Sequence, residues 1–160
     1  MFDLWEQPWA LDSLSPRPAQ SRQKKSKSGK SKRRKTTVLV VDDERLIADT
    51  MTEILKRSGF EATCAYDGPS ALEMAIQLSP DYVLSDVVMP HMNGLQLAIA
   101  VRKALPETEI LLLSGQAGVT EILDRGRREG YSFELIGKPV HPEKLLQRLK
   151  MSSPDQENRE

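Results

Sequence analysis

Tyr82-Val83-Leu84-Ser85-Asp86-Val87-Val88-Met89-Pro90, residues 82–90, is a short apolar run that ends on a carboxylate. Three other places in the chain repeat this arrangement. Asp42 and Asp43 follow the apolar run 38–41, Ser114 follows the run 110–113, and Lys138, just ahead of Pro139, follows Leu135-Ile136-Gly137. In a parallel α/β sheet the ends of such runs lie on one edge, where ligands bind at the switch in strand order. Three carboxylates, a hydroxyl and an ammonium are therefore expected to meet around one small site. Such a place suits a divalent cation and a phosphoryl group.

Working outward, strand and helix patterns alternate from Thr37 onward. Residues 38–41 form a continuous apolar run rich in β-branched valine, as a strand covered on both faces would. Leu46, Ile47, Met51, Ile54 and Leu55 are read as the inward stripe of a helix that Gly59 stops. A weaker strand follows at 62–66. The turn Asp67-Gly68-Pro69-Ser70 then leads into a helix with Ala71, Leu72, Ala75 and Ile76 inward, halted before Pro80. Strands at 82–85 and 110–113 flank a helix over 95–105. A Gly-interrupted segment, 115–118, precedes a helix over 119–128, and a short strand at 135–137 precedes a last helix that Pro142 opens. Five such units imply one parallel sheet with helices on both faces.

Charge divides the chain. Residues 17–36 carry ten Lys and Arg and no acid, whereas residues 37–160 carry 13 bases and 20 acids, a net of −7. The stretch 1–36 is expected to be a disordered tail with a basic segment, because it cannot bury enough apolar surface to offset chain entropy. Residues 151–160 read as a polar tail, leaving 37–150 as the folded domain. The single cysteine, Cys64, excludes an intrachain disulfide and suits a reducing compartment; it is read as a small buried hydrophobe. No apolar run approaches the roughly 20 residues of a membrane span. With no secretory signal legible either, the expected location is cytoplasmic, with no membrane partner.

An oxygen-only ligand set suits Mg²⁺, and a bound dication relieves the mutual repulsion of Asp42, Asp43 and Asp86. His91 and His141 have no partner at metal spacing and are read as surface residues, so Zn²⁺ is not expected. A carboxylate is a competent nucleophile for phosphoryl transfer through an aspartyl-phosphate. Lys138 and the Ser114 hydroxyl are suited to meet the charge on the transferring oxygens.

Asp42-Asp43-Glu44, Asp86 with Met89-Pro90 and Gly94, Ser114 and Lys138-Pro139, in this order and spacing, resemble the receiver domain of response regulators in two-component signalling. The resemblance covers roughly residues 37–150. It implies a flavodoxin-like, doubly wound, five-stranded parallel sheet. It also implies a phosphorelay role in which Asp86 accepts a phosphoryl group from a histidine kinase or phosphotransfer protein. By the same resemblance Asp43 binds Mg²⁺ directly and Asp42 through water. Val88 offers a backbone carbonyl ligand, Lys138 pairs with the phosphoryl group, and Ser114 moves toward it. The Lys138–Pro139 bond is expected to be cis. The family often has Tyr or Phe three residues before the lysine; here that position is Leu135, with Tyr131 and Phe133 out of register. The stretch from Ser114 to Lys138 is also slightly long, carrying Arg125, Gly126, Arg127 and Arg128.

The resulting expectation is a stand-alone phosphoprotein switch, not an enzyme, that signals by contact with an effector protein. Two other readings share some of these residues. A Mg²⁺-dependent aspartyl-phosphate phosphohydrolase would use Asp86 and Lys138, but such enzymes resemble an Asp-x-Asp pattern and carry a cap, neither of which is legible here. A nucleic-acid-binding regulator would use the basic residues 17–35, with salt-sensitive, sequence-blind contacts. No base-reading fold follows that segment, so nucleic-acid contact is the minority expectation.

Overall fold

The computed structural model of the protein describes residues 34–115 and 119–152. The tails expected at 1–36 and 151–160 fall almost wholly outside them. Five parallel strands form one sheet: β1 (Thr37–Val41), β2 (Glu61–Ala65), β3 (Tyr82–Asp86), β4 (Glu109–Ser114) and β5 (Glu134–Gly137), in the order β2-β1-β3-β4-β5. The helices are α1 (Arg45–Arg57), α2 (Gly68–Leu78), α3 (Gly94–Ala104), α4 (Val119–Arg128) and α5 (Pro142–Met151). The sheet is doubly wound, as expected.

Strand side chains alternate between faces, so one apolar run feeds two cores. Leu39, Val41, Val83, Ile110 and Leu112 pack with residues of α2, α3 and α4. Val38, Val40, Tyr82, Leu84 and Leu111 pack with α1 and α5 through Ala48, Leu55, Leu145 and Leu149. Burying each large side chain contributes about 1.5–3 kcal/mol, and this is what holds the strand ends in register.

Two helix faces sit differently from the expected stripes. In α1 the buried line is Ala48, Thr52 and Leu55, while Leu46 is 80% exposed. Thr52 tolerates burial because its hydroxyl donates to the Ala48 carbonyl at 2.7 Å. In α2 Ala71 and Ala75 are buried as expected, and only Ile76, one residue on, departs from the stripe at 54% exposed. Cys64 is only half-buried, with its thiol 3.4 Å from Asp49 Oδ1 and 3.5 Å from the Tyr66 hydroxyl.

Caps fix where the helices begin. Asp67 accepts from the Ser70 N–H at 2.8 Å at the start of α2. At the start of α3, Asn93 and Gln96 form a reciprocal capping box.

Asp81 ties the entry of β3 to that of β1. Its Oδ2 accepts from the Thr37 N–H at 2.9 Å and the Thr37 hydroxyl at 3.0 Å, and its Oδ1 from Arg34 at 2.9 Å. Burial pushes this carboxyl up, but the donors at Thr37 and Arg34 outweigh it and hold the pKa below the ordinary 3.8. Asp81→Ala strands the Thr37 N–H, so urea denaturation at neutral pH should show a loss of about 1–3 kcal/mol. Because the folded pKa lies below the unfolded one, this contribution is complete above the ordinary carboxylate value. It fades as the pH falls through the lower folded value, so wild type and variant should converge in acid.

Candidate functional site

The edge where the strands end is tied together by backbone before any side chain acts. The Asp42 N–H donates to the Ala65 carbonyl at 3.2 Å, Val87 N–H to the Leu113 carbonyl at 3.0 Å, and Lys138 N–H to the Ser114 carbonyl at 2.7 Å. Together with the β1–β3 ladder, these bonds bring the carboxyl ends of all five strands side by side. The Lys138–Pro139 peptide is cis.

Asp42, Asp43 and Asp86 each present an oxygen there, and the three atoms lie within 4.8 Å of one another. Asp42 is buried, Asp86 partly so, and Asp43 faces solvent. The Asp42 carboxylate is fully engaged: Oδ1 accepts from the Glu44 N–H at 2.9 Å, and Oδ2 lies 3.3 Å from the Lys138 ammonium. The same ammonium stands 3.3 Å from Asp86 Oδ2. Lys138 thus bridges two carboxylates from one side.

Burial pushes the Asp86 carboxyl above the ordinary 3.8; Lys138 pulls it back, the Asp42 charge adds to the rise, and the Val88 N–H opposes it. For Lys138, burial works against the ammonium, yet Asp86 and Asp42 outweigh it and raise its pKa. The lysine is therefore protonated at neutral pH, where the carboxylates it faces favour its charge.

Three carboxylates against one ammonium leave two negative charges uncompensated in a pocket of oxygen donors. That donor set fits Mg²⁺, a hard cation that prefers oxygen ligands and retains waters, and the exposed side of Asp43 leaves room for those waters.

The expected residues are joined in two ways. Asp42, Asp43, Asp86 and Lys138 are gathered by their side chains. Ser114 and Val88 are brought to the same edge by backbone: Ser114 pairs with Gly137 in the β4–β5 ladder, and the Val88 N–H acts on the Asp86 carboxylate, lowering its pKa. That influence of the Val88 N–H was not legible in the sequence, where only its carbonyl was considered. Two glycines also act here. A Cβ on Gly94 would run into the Asp86 carbonyl oxygen and come within 2.8 Å of Val87 Cα, and one on Gly115 would press on the Lys138 stem at 3.3 Å. An isolated glycine beside a polar motif is the available sequence signal for such close approaches.

Leu135 is 42% exposed. Tyr131 and Phe133 stack in parallel with centroids 6.3 Å apart, and Arg102 lies over Phe133 at 5.1 Å. Phe133 thus packs toward the α2–α4 core, while the position three residues before the lysine, Leu135, carries no ring.

A doubly wound sheet with an acidic triad and a lysine at its carboxyl edge defines a receiver-type fold. The chain belongs to the response regulator receiver domain family, whose model matches residues 38–150. Among solved structures, the chain is similar to the chemotaxis protein CheY4 of Vibrio cholerae, at 32% identity and a TM-score of 0.66, over 75% of this chain and 100% of that one. A CheY-like receiver domain protein of Methanospirillum hungatei matches at 27% identity and 0.68, over 78% and 98%. NtrX from Brucella abortus matches at 28% and 0.64, over 74% of this chain but 27% of its own. The chain is a receiver domain of two-component systems, a family of phosphorylation-based signalling switches. Among the described residues no helix is long and apolar enough to cross a membrane.

Proposed function

We propose that Asp86 accepts a phosphoryl group from the phosphohistidine of a histidine kinase or phosphotransfer protein, and that the modified chain signals by protein–protein contact. The observation that carries this is the Lys138 ammonium 3.3 Å from both Asp86 Oδ2 and Asp42 Oδ2. A charge held there meets phosphoryl oxygens as they arrive. An Asp86 oxygen attacks phosphorus, the phosphorus–nitrogen bond breaks, and the donor imidazole keeps the electron pair and takes a proton from solvent. Asp42, Asp43, Asp86 and the Val88 carbonyl would hold Mg²⁺, which supplies further positive charge to the phosphoryl oxygens. The Ser114 hydroxyl then donates to a phosphoryl oxygen and stabilises the modified state.

An apolar groove of about 360 Å³ supports docking of a protein donor next to the site. It runs between α1 and α5 and is lined by Leu46, Met51, Ile54, Val140 and Leu146, among others. It opens close to the acids, since Leu46 follows Asp43 by three residues and Pro142 follows Lys138 by four. Leu46→Arg should slow phosphotransfer from a kinase by roughly tenfold, as the loss of one exposed apolar anchor. Labelling by acetyl phosphate should be unchanged, because that donor needs no groove.

The switch is separated from a phosphohydrolase by stoichiometry. With acetyl phosphate and Mg²⁺ the protein should take up one phosphoryl group and lose it slowly, and chelating the metal should stop uptake. Steady turnover of a small phosphoester would overturn the proposal.

A further inference from the structure

We infer that α3 passes the state of Asp86 to α4 through the seat of Leu95 in a notch made by Gly126, so that these two residues set how strongly α4 responds. The inference rests on Asp86 being the phosphoacceptor. Gly94, the first residue of α3, lies so close to the Asp86 carbonyl that no side chain fits between them, and its N–H donates to the Val87 carbonyl at 2.8 Å. The next residue, Leu95, is buried at 4% exposure and reaches α4. A Cβ on Gly126 would come within 2.9 Å of Leu95 Cδ1 and 3.2 Å of Cδ2.

Gly126 is buried inside α4, where glycine weakens a helix relative to alanine. Room for Leu95 is the packing reason for that residue. Close-packed joints of this kind move between discrete arrangements and do not deform smoothly. A shift at the Asp86 backbone therefore reaches α4 in two steps, Gly94 to Leu95 and Leu95 to Gly126. The element that moves is basic at its end: it carries Arg125, Arg127 and Arg128, of which Arg127 pairs with Asp124 at 3.3 Å. A cleft of about 530 Å³ spans the same joint, with Gln96 and Ile99 of α3 facing Ile122 and Arg125 of α4, so its shape follows the α3–α4 spacing. Leu135, exposed and without a ring, offers no aromatic route in its place.

Hydrogen exchange of the α4 amides tests this on the full chain, with and without acetyl phosphate and Mg²⁺, the intact mass being read on the same samples. In wild type, phosphorylation should change α4 exchange by at least about fivefold, the low end of ordinary site-to-site coupling. Gly126→Ala should take up phosphoryl normally yet lose most of that change, and adding Leu95→Val, which returns volume to the joint, should restore it. Leu95→Ala empties the notch from the other side and should also lose the response; it carries the test if Gly126→Ala does not fold. A wild-type α4 that labels but does not respond, or a Gly126→Ala variant that responds in full, would overturn the inference. Failure of wild type to label would instead sink the phosphoacceptor reading and the coupling with it.

Discussion

Gly94→Ala is expected to lower the unfolding free energy by at least about 2 kcal/mol, the scale of forced overpacking in a close-packed interior. The added methyl would meet the Asp86 carbonyl oxygen, Val87 Cα and the Asp86 carbonyl carbon, all backbone atoms that no rotamer change can clear. Either the start of α3 lifts away, breaking the Gly94 N–H bond to the Val87 carbonyl, or the Asp86–Val88 backbone moves. The second response misplaces the carboxylate and the backbone N–H of Val88 that acts on it. Misplacement of a reacting group by about 1 Å can cost on the order of a hundredfold in rate, so acetyl phosphate labelling should fall by that order in the molecules that remain folded. Urea denaturation and the labelling rate, measured on the same preparation, read the two effects separately. Wild-type values for both would show that the close approach of Gly94 to Asp86 does not matter.

Lys138→Met is expected to slow labelling by about 10²–10³-fold, the usual loss when one preorganised group facing developing charge is removed. Methionine preserves the stem that packs on Gly115 and deletes only the ammonium. The same change leaves Asp42, whose side chain is 3% exposed, facing Asp86 with no cation between them. Without metal the variant should lose about 2 kcal/mol, less than the cost of breaking a fully buried pair because Lys138 is itself partly exposed. Excess Mg²⁺ should return most of that stability, since binding to the folded state alone stabilises it, but should not restore the labelling rate. A labelling rate within a few-fold of wild type would assign the phosphoryl contact to some other group.

The residues that were legible in the sequence share a physical property: their place follows from chain order. Asp42, Asp86, Ser114 and Lys138 each end an apolar run, and parallel strands put the ends of such runs on one edge. The alternation within 38–41 likewise determines which side chain enters which core. Packing that depends on a distant partner was not legible. Leu46 and Ile76 look like core residues by composition, but the buried lines of their helices run through Ala48, Thr52 and Leu55 and through Ala71 and Ala75. Thr52 hides its polarity in a bond to its own helix, which no hydropathy pattern registers. Cys64 lies beside Asp49, which comes from α1, so its half-exposed setting could not be read locally. Gly94, Gly115 and Gly126 show the same limit: a glycine marks a close approach, but only the fold reveals what approaches it.

The central claim is that Asp86 is the phosphoacceptor of this receiver domain, and intact-mass measurement after incubation with acetyl phosphate and Mg²⁺ tests it most directly. Wild type should gain one phosphoryl group, whereas Asp86→Asn, which keeps the size of the side chain and removes the nucleophilic carboxylate, should gain none. No gain in wild type, or equal gain in Asp86→Asn, would contradict the account.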